Sequence, residues 1–314
     1  MGKKYLIINA DDFGVSKSVN KAIISLLEDN KISSTTLMPN VRYYKEAAEW
    51  AKHNKDKVGL HLTFVNDDSK YKYKSLSGGK SFEDNNGYLY EDVNKFRNNV
   101  KRKEIIKEVD LQIGKLKRDG VNITHIDLHR YSIYPTFNPI IYISLCSKLN
   151  KTGKLPIRWS KRGGYHICNE VNNLCDSDNV SSFFAAITNL FDLPMPDYVF
   201  KFPYRNVFKT YDEKKQAFIN ILNNLPYGIS EIHIHPAIEN DEIKELNPTW
   251  QERVFEYELM YDEDIGKLIN DLGIELIAYS DISKISVRRK KFECIKDIIS
   301  HGIKYVLKSL KRIV

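Results

Sequence analysis

Short apolar strands alternate with helical periods along residues 5–279, and that alternation confines the 314-residue chain to a parallel α/β architecture. Residues 5–10 form a nearly continuous apolar run, which is how a strand covered on both faces reads. Similar runs at 34–38, 58–64, 123–129, 155–159, 231–236 and 274–279 predict further strands. Ser16 or Ser18 can cap a helix to Leu27 with Val19, Ile23, Leu26 and Leu27 inward. Helices are also expected over 44–53, 98–118, 137–149 and 250–270. The polar stretch 66–94 carries turn signals at Gly78-Gly79 and Asn86-Gly87, and a loop this long in a compact domain is expected to act as a lid or substrate wall. Residues 161–180 read as irregular.

Apolar residues at 42 % and charged residues at 28 % suit a globular protein with a sizeable core. The apolar segment near the N-terminus is too short for a signal-peptide core, and no run reaches the roughly 18–20 apolar residues of a membrane span. A cytoplasmic protein is expected. Cys146, Cys168, Cys175 and Cys294 form no CxxC pair and read as ordinary thiols rather than a metal or disulfide framework. The formal net charge of +7 is concentrated in residues 286–314, which carry nine basic and two acidic side chains. The rest of the chain is near neutral, which argues against a nucleic-acid groove through its body.

The polar residues that stand out share one address. Asp11-Asp12, His61, His125-x-Asp127-x-His129 and His233-x-His235 sit in or at the C-terminal ends of predicted strands, where parallel α/β folds assemble their sites. In a strand, residues two apart share a face, so His125, Asp127 and His129 are expected to point together, as are His233 and His235. Five of the eight histidines fall in this set. His53, His166 and His301 read as structural or solvent-facing. Mixed carboxylate and imidazole donors suit one divalent ion, Zn2+, Mn2+, Fe2+ or Co2+, and admit Mg2+. Such an ion activates water and polarises a carbonyl, a free carboxylate can take the water's proton, and a histidine can protonate a leaving amine. A metal-dependent phosphoesterase and a non-catalytic glycan-binding protein are the alternatives, although no P-loop or second metal cluster is evident.

Four ordered segments resemble the YdjC-like carbohydrate deacetylase family, which includes the chitooligosaccharide deacetylases. They are Asn9-Ala10-Asp11-Asp12-Phe13-Gly14, Val58-Gly59-Leu60-His61-Leu62-Thr63, Thr124-His125-Ile126-Asp127-Leu128-His129 and Glu231-Ile232-His233-Ile234-His235-Pro236. The resemblance implies a distorted (β/α) barrel related to polysaccharide deacetylases and hydrolysis of an N-acetyl group from an amino sugar, with acetate released. It implies a Mg2+ or Zn2+ ion held by Asp12, His61 and His125, with Asp11 as general base and His235 as general acid. Arg158 is expected near the developing charge. Asp127, His129, Tyr131 and His233 are expected to touch substrate or to support the ligands. Two positions depart from the family pattern, Tyr131 in place of a histidine and Ala237 in place of a glycine. Tyr71, Tyr73, Tyr88, Tyr131, Trp159 and Tyr165 are candidates for stacking on sugar rings or for packing.

The sequence divides into a catalytic barrel over 1–285 and a basic amphipathic helical extension over 286–314. In the extension, Ile295, Ile298, Ile299, Ile303, Val306, Leu307, Leu310 and Ile313 form a helical stripe among lysines and arginines. It can pack on the barrel, or lie on an anionic membrane through residues 288–314. An N-acetylated sugar is the expected partner, nucleic acid is not, and homodimer formation is left open.

Overall fold

In a computed structural model of the chain, β1 (Lys4–Phe13) runs through the middle of an all-parallel sheet of eight strands. The structure describes residues 2–67, 71–133, 138–161, 165–167, 179–202, 207–285 and 290–310, without side chains at 165–167, 179–181 and 303–310. One edge of β1 pairs with β7 (Gly228–Ile234), placing Asn9 opposite His233. The other edge is shared: β8 (Ile274–Leu276) pairs with residues 4–6, and β2 (Ser34–Leu37) takes over from Asn9 onward. Beyond β2 lie β3 (Val58–Leu62) and β4 (Ile126–Leu128); beyond β7 lie β6 (Tyr198–Lys201) and β5 (Tyr165–Ile167).

Past β4 the sheet curls toward its far side. Arg158 N–H donates to Ile126 O at 3.0 Å and Ile157 N–H to Pro194 O at 2.9 Å, so the segment expected as a strand over 155–159 bridges β4 and the chain entering β6. The expected barrel is thus a curled parallel half-barrel, with strand twist supplying the curvature.

Helices cover the outer face. α1 (Lys17–Glu28) begins at Ser16, whose Oγ accepts the Val19 N–H at 3.1 Å. Its Val19, Ile23, Leu26 and Leu27 are all buried, each contributing about 2 kcal/mol of apolar transfer. α2 (Tyr44–Ala51) packs on β2. The helix expected over 98–118 is two, α3 (Val93–Asn99) and α4 (Arg102–Arg118), because Val100 and Lys101 take extended backbone between them. α5 (Pro139–Lys151) and α6 (Asn179–Leu190) follow, the latter starting inside the stretch read as irregular. β5, within the stretch read as irregular, and β6, α7 (Tyr211–Asn223) and α8 (Asp241–Leu246) had no counterpart in the sequence reading. The helix expected over 250–270 divides at Asp262 into α9 (Trp250–Tyr261) and α10 (Glu263–Asp271), because the Asp262 carboxylate accepts the Asp264 N–H at 2.9 Å and starts a new helix. After β8 comes the short α11 (Ile282–Ile285).

The long polar segment after β3 is fastened to the body rather than left as a free flap. The buried Glu108 of α4 accepts the Leu76 and Ser77 N–H groups at 3.0 and 2.8 Å. Gln112, one turn on, binds both the N–H and the C=O of Thr63, at 3.0 and 2.8 Å. Asn66 binds the backbone of Tyr73, Leu89 and Tyr90.

The last described helix, α12 (Lys291–Leu310), packs along α6 with Cys294 buried. Cys146 and Cys294 are buried, while Cys168 and Cys175 lie outside the described residues. Among the described residues no helix is long and apolar enough to cross a membrane.

Candidate active site

In a regular strand Asp11 and Asp12 would face opposite sides of the sheet. The register of β1 against β2 slips between Ala10 and Phe13, and Asp12 takes a left-handed backbone with φ of 67°. This local break brings both carboxylates to one cavity of about 410 Å³ at the C-terminal ends of the strands. His61, His129, Arg158, His233 and His235 line the same cavity.

Three donor atoms converge there. Asp12 Oδ1 lies 3.5 Å from His61 Nε2 and 3.3 Å from His129 Nδ1, and the two ring nitrogens are 3.2 Å apart. Each imidazole is oriented by a carboxylate on its other side: Asp127 Oδ1 is 2.6 Å from His61 Nδ1, and Asp67 Oδ1 is 3.0 Å from His129 Nε2. With protons kept on those outer nitrogens, a cation that displaces the inner protons would meet lone pairs on His61 Nε2 and His129 Nδ1 facing Asp12. Burial works against a charged imidazole, yet the Asp67 and Asp12 carboxylates push His129 up to about 10, and Asp127 likewise raises His61. Burial alone would raise Asp12, but Arg253, whose Nη2 is 2.6 Å from Oδ2, holds it well below the usual carboxylate range.

These residues fit a divalent cation. Asp12 Oδ1 is buried and accepts no hydrogen bond among the described residues, a costly state for a carboxylate oxygen unless a cation meets it. The donor separations match the edges of a polyhedron built on metal–ligand bonds of about 2.1 Å, roughly 3.0 Å for an octahedron and 3.4 Å for a tetrahedron. A second grouping, Asp11, His61 and Asp127, also has donor atoms within 4.8 Å of one another. A cation already pairs with both of its carboxylates: Arg158 binds Asp11 through Nη1 and Nη2 at 2.6 and 2.7 Å, Asp127 through Nη1 at 2.8 Å, and Glu231 through Nε at 2.6 Å. Burial would raise Asp11, and Arg158 overrides it to keep the carboxyl far below the usual range. Glu231, more desolvated than compensated, is pushed up to about 7.

His125, expected as a ligand, stands outside both groupings. Its Nε2 meets Asn9 Oδ1 at 3.1 Å, its Nδ1 meets Thr124 Oγ1 at 2.9 Å, and its ring stacks on Tyr279 with centroids 3.7 Å apart. A Cβ on Gly59 would lie 2.5 Å from this ring, so glycine there makes the room it occupies. Both nitrogens are committed, and the imidazole beside Asp12 and His61 is His129. His125 reaches the site indirectly, since Asn9 donates to Asp11 Oδ1 at 2.9 Å.

His235 Nε2 lies 3.8 Å from Asp11 Oδ2, and burial lowers its pKa. The His235 N–H donates to the Glu256 carboxylate of α9. His233 Nε2 is 2.8 Å from the Tyr131 hydroxyl, and both side chains line the cavity. Arg158 acts behind Asp11, with its guanidinium committed to three carboxylates. Of the aromatic candidates, Tyr131 lines this cavity and Tyr73 an adjoining one of about 250 Å³, while Trp159 packs in the core beside Tyr142. The side chains of Tyr165 and His166 lie outside the described residues.

Asp67 and Arg253 were not singled out in the sequence. Asp67 begins the polar loop and Arg253 sits within a helix, so neither carries a strand-end signature.

The fold and the strand-end Asp/His cluster define a half-barrel α/β protein with a metal-competent site. The sequence profile of the YdjC-like protein family matches residues 5–271, and the chain belongs to that family. It is 27 % identical over 280 residues to a carbohydrate deacetylase of Thermoanaerobacter pseudethanolicus, covering 88 % of this chain and 98 % of the relative. It is 29 % identical over 282 residues to a carbohydrate deacetylase of Clostridium beijerinckii, covering 88 % and 99 %. A crystal structure from Enterococcus faecalis V583, whose protein carries the provisional name cellobiose-phosphate cleavage protein, superposes with a TM-score of 0.69. It is 24 % identical, with 89 % of this chain and 98 % of that one covered, and it shares the fold.

Proposed function

We propose that the protein is a metal-dependent carbohydrate deacetylase that hydrolyses the N-acetyl group of an amino sugar or N-acetylated glycan and releases acetate. The observation that carries this reading is the meeting of two sets on one cavity: the Asp12–His61–His129 donors and the Asp11–His235 pair. The names of the relatives over nearly their full length support it.

Asp12, His61 and His129 would hold the ion, a revision of the set with His125. A bound divalent ion, Zn2+ or Mg2+ foremost, supplies Lewis acidity at the acetamido carbonyl and lowers the pKa of water. Asp11, kept ionised by Arg158, takes a proton from the attacking water as its oxygen bonds to the carbonyl carbon. The C–N bond then breaks, and the amine nitrogen takes a proton from the His235 imidazolium. Burial makes that imidazolium a ready donor. Asn9 and Arg158 fix the Asp11 carboxylate so that Oδ2 lies on the His235 side. Tyr131 and His233 form the wall next to the sugar, and the adjoining cavity shares Asp67, Arg130 and Arg253 with the main one.

A metal-dependent phosphoesterase working with two ions gains no support, since the second possible grouping shares His61 and both of its carboxylates are paired with Arg158. Acetate release from N-acetylated monosaccharides, oligosaccharides and lipid- or nucleotide-linked sugars tests the proposal. Chelator-sensitive release on at least one substrate is expected. No release from any of them by metal-loaded protein would defeat it.

A further inference from the structure

α12 has three faces of different character. One packs on α6 through Cys294 and Gly302, the latter close enough that a Cβ would sit 3.2 Å from Phe183. A second carries Phe292, Ile295 and Ile299 at helical spacing, with 77, 46 and 59 % of their surfaces exposed. In sequence, Ile303, Val306 and Leu310 continue that period. Beside it are the exposed Lys290, Lys291 and Lys296, within a segment of nine basic and two acidic residues.

Packing on the barrel therefore accounts for one side of the helix and leaves an apolar stripe of Phe292, Ile295 and Ile299 in water. The family match ends at residue 271, ahead of this helix. We propose that the stripe is a docking surface for an anionic phospholipid membrane, with the helix lying in the interface, its phenylalanine and isoleucines among the acyl chains and its lysines among the head groups.

Charge complementarity selects this occupant. A second copy meeting the same face isologously would bring two strongly basic segments together. An anionic surface instead attracts each nearby lysine or arginine, by about five-fold in binding per charge. The inference stands apart from the deacetylase reading, because its readout is binding rather than turnover.

Flotation of the full chain with vesicles of phosphatidylcholine alone, or with about 30 % phosphatidylglycerol, tests it. At least ~10-fold more protein bound to the anionic vesicles is expected, declining as salt is raised. The variant Phe292→Ser/Ile295→Ser/Ile299→Ser should lose about 10-fold in binding while helix content and elution volume stay unchanged. Equal, negligible binding to both vesicle types, or wild-type binding by a folded serine variant, would overturn the proposal. So would a dimeric wild type that the serine variant makes monomeric, since a second copy would then cover the stripe. Should the serine variant fail to fold, Lys290→Glu/Lys291→Glu/Lys296→Glu decides: lost vesicle binding supports the docking surface and retained binding overturns it.

Discussion

His129→Ala and His125→Ala remove the same chemical group from neighbouring positions, and the structure assigns them opposite consequences. His129 Nδ1 is one corner of the donor triangle, 3.3 Å from Asp12 Oδ1 and 3.2 Å from His61 Nε2. A zinc site with four ligands binds with about 10–16 kcal/mol, so one ligand accounts for about 3–4 kcal/mol, or roughly 10²–10³-fold in affinity. His129→Ala should weaken binding by that factor. His125 touches no ligand atom; its ring is fully buried against Tyr279 with both nitrogens bonded. Truncating it empties a ring-sized space and strands Asn9 Oδ1, at a cost of about 2–5 kcal/mol in folding stability. Its metal affinity should stay within about 10-fold of wild type, less than the roughly 10–100-fold cost of removing a group that bonds a ligand directly. Competition against a chromogenic chelator gives the affinities, and urea unfolding of the metal-free proteins gives the stabilities. A His125→Ala protein that folds normally but loses metal, beside a His129→Ala protein that keeps it, would refute this reading of the site.

Asp11→Asn should retain metal within a few-fold yet lower the acetate-release rate by about 10²–10⁴, because the proton acceptor is gone; near-normal turnover would dismiss Asp11 as the base. Asp67→Asn, measured by the same chelator competition, should weaken binding by about 10–100-fold through a poorly oriented His129. Glu231 has a folded pKa of about 7 against 4.5 for the ordinary side chain, so the folded state binds the extra proton between those values and stability falls as pH rises through that window. Glu231→Gln should remove up to ~3 kcal/mol of this fall between pH 4.5 and 7, and parallel stability–pH curves for the two proteins would rule it out.

β1 and the first helix are legible because burial on both faces of β1 and on one face of α1 leaves an unmistakable periodicity, whereas the short β5 and β6 give no comparable signal. The acidic pair, His61 and the 125–129 cluster are legible because histidines and aspartates at strand ends are conspicuous among apolar neighbours. Which histidine stands beside Asp12 and His61 was not, and the reason is local. Strand alternation treats His125 and His129 as equivalent, but β4 ends at Leu128 and the chain turns at His129 through Arg130 and Tyr131, both in left-handed conformations. Arg253 and Asp67 belong to a helix and a loop, where charge is the default and carries no signal; only the fold shows that they meet Asp12 and His129. The break at Asp262 was hidden by continuous helical periodicity on either side of one capping residue.

The fastened loop after β3 also has a consequence for how the site could be tuned from a distance. Asp67, which orients His129 and accepts the Tyr73 hydroxyl at 3.2 Å, sits between backbone clamped by Gln112 at Thr63 and by Glu108 at Leu76 and Ser77. A helix on the outside of the half-barrel thereby holds the frame within which an inner histidine keeps its tautomer. Substitutions on the buried side of α4, which touch no ligand, should register as altered metal occupancy before they register as unfolding.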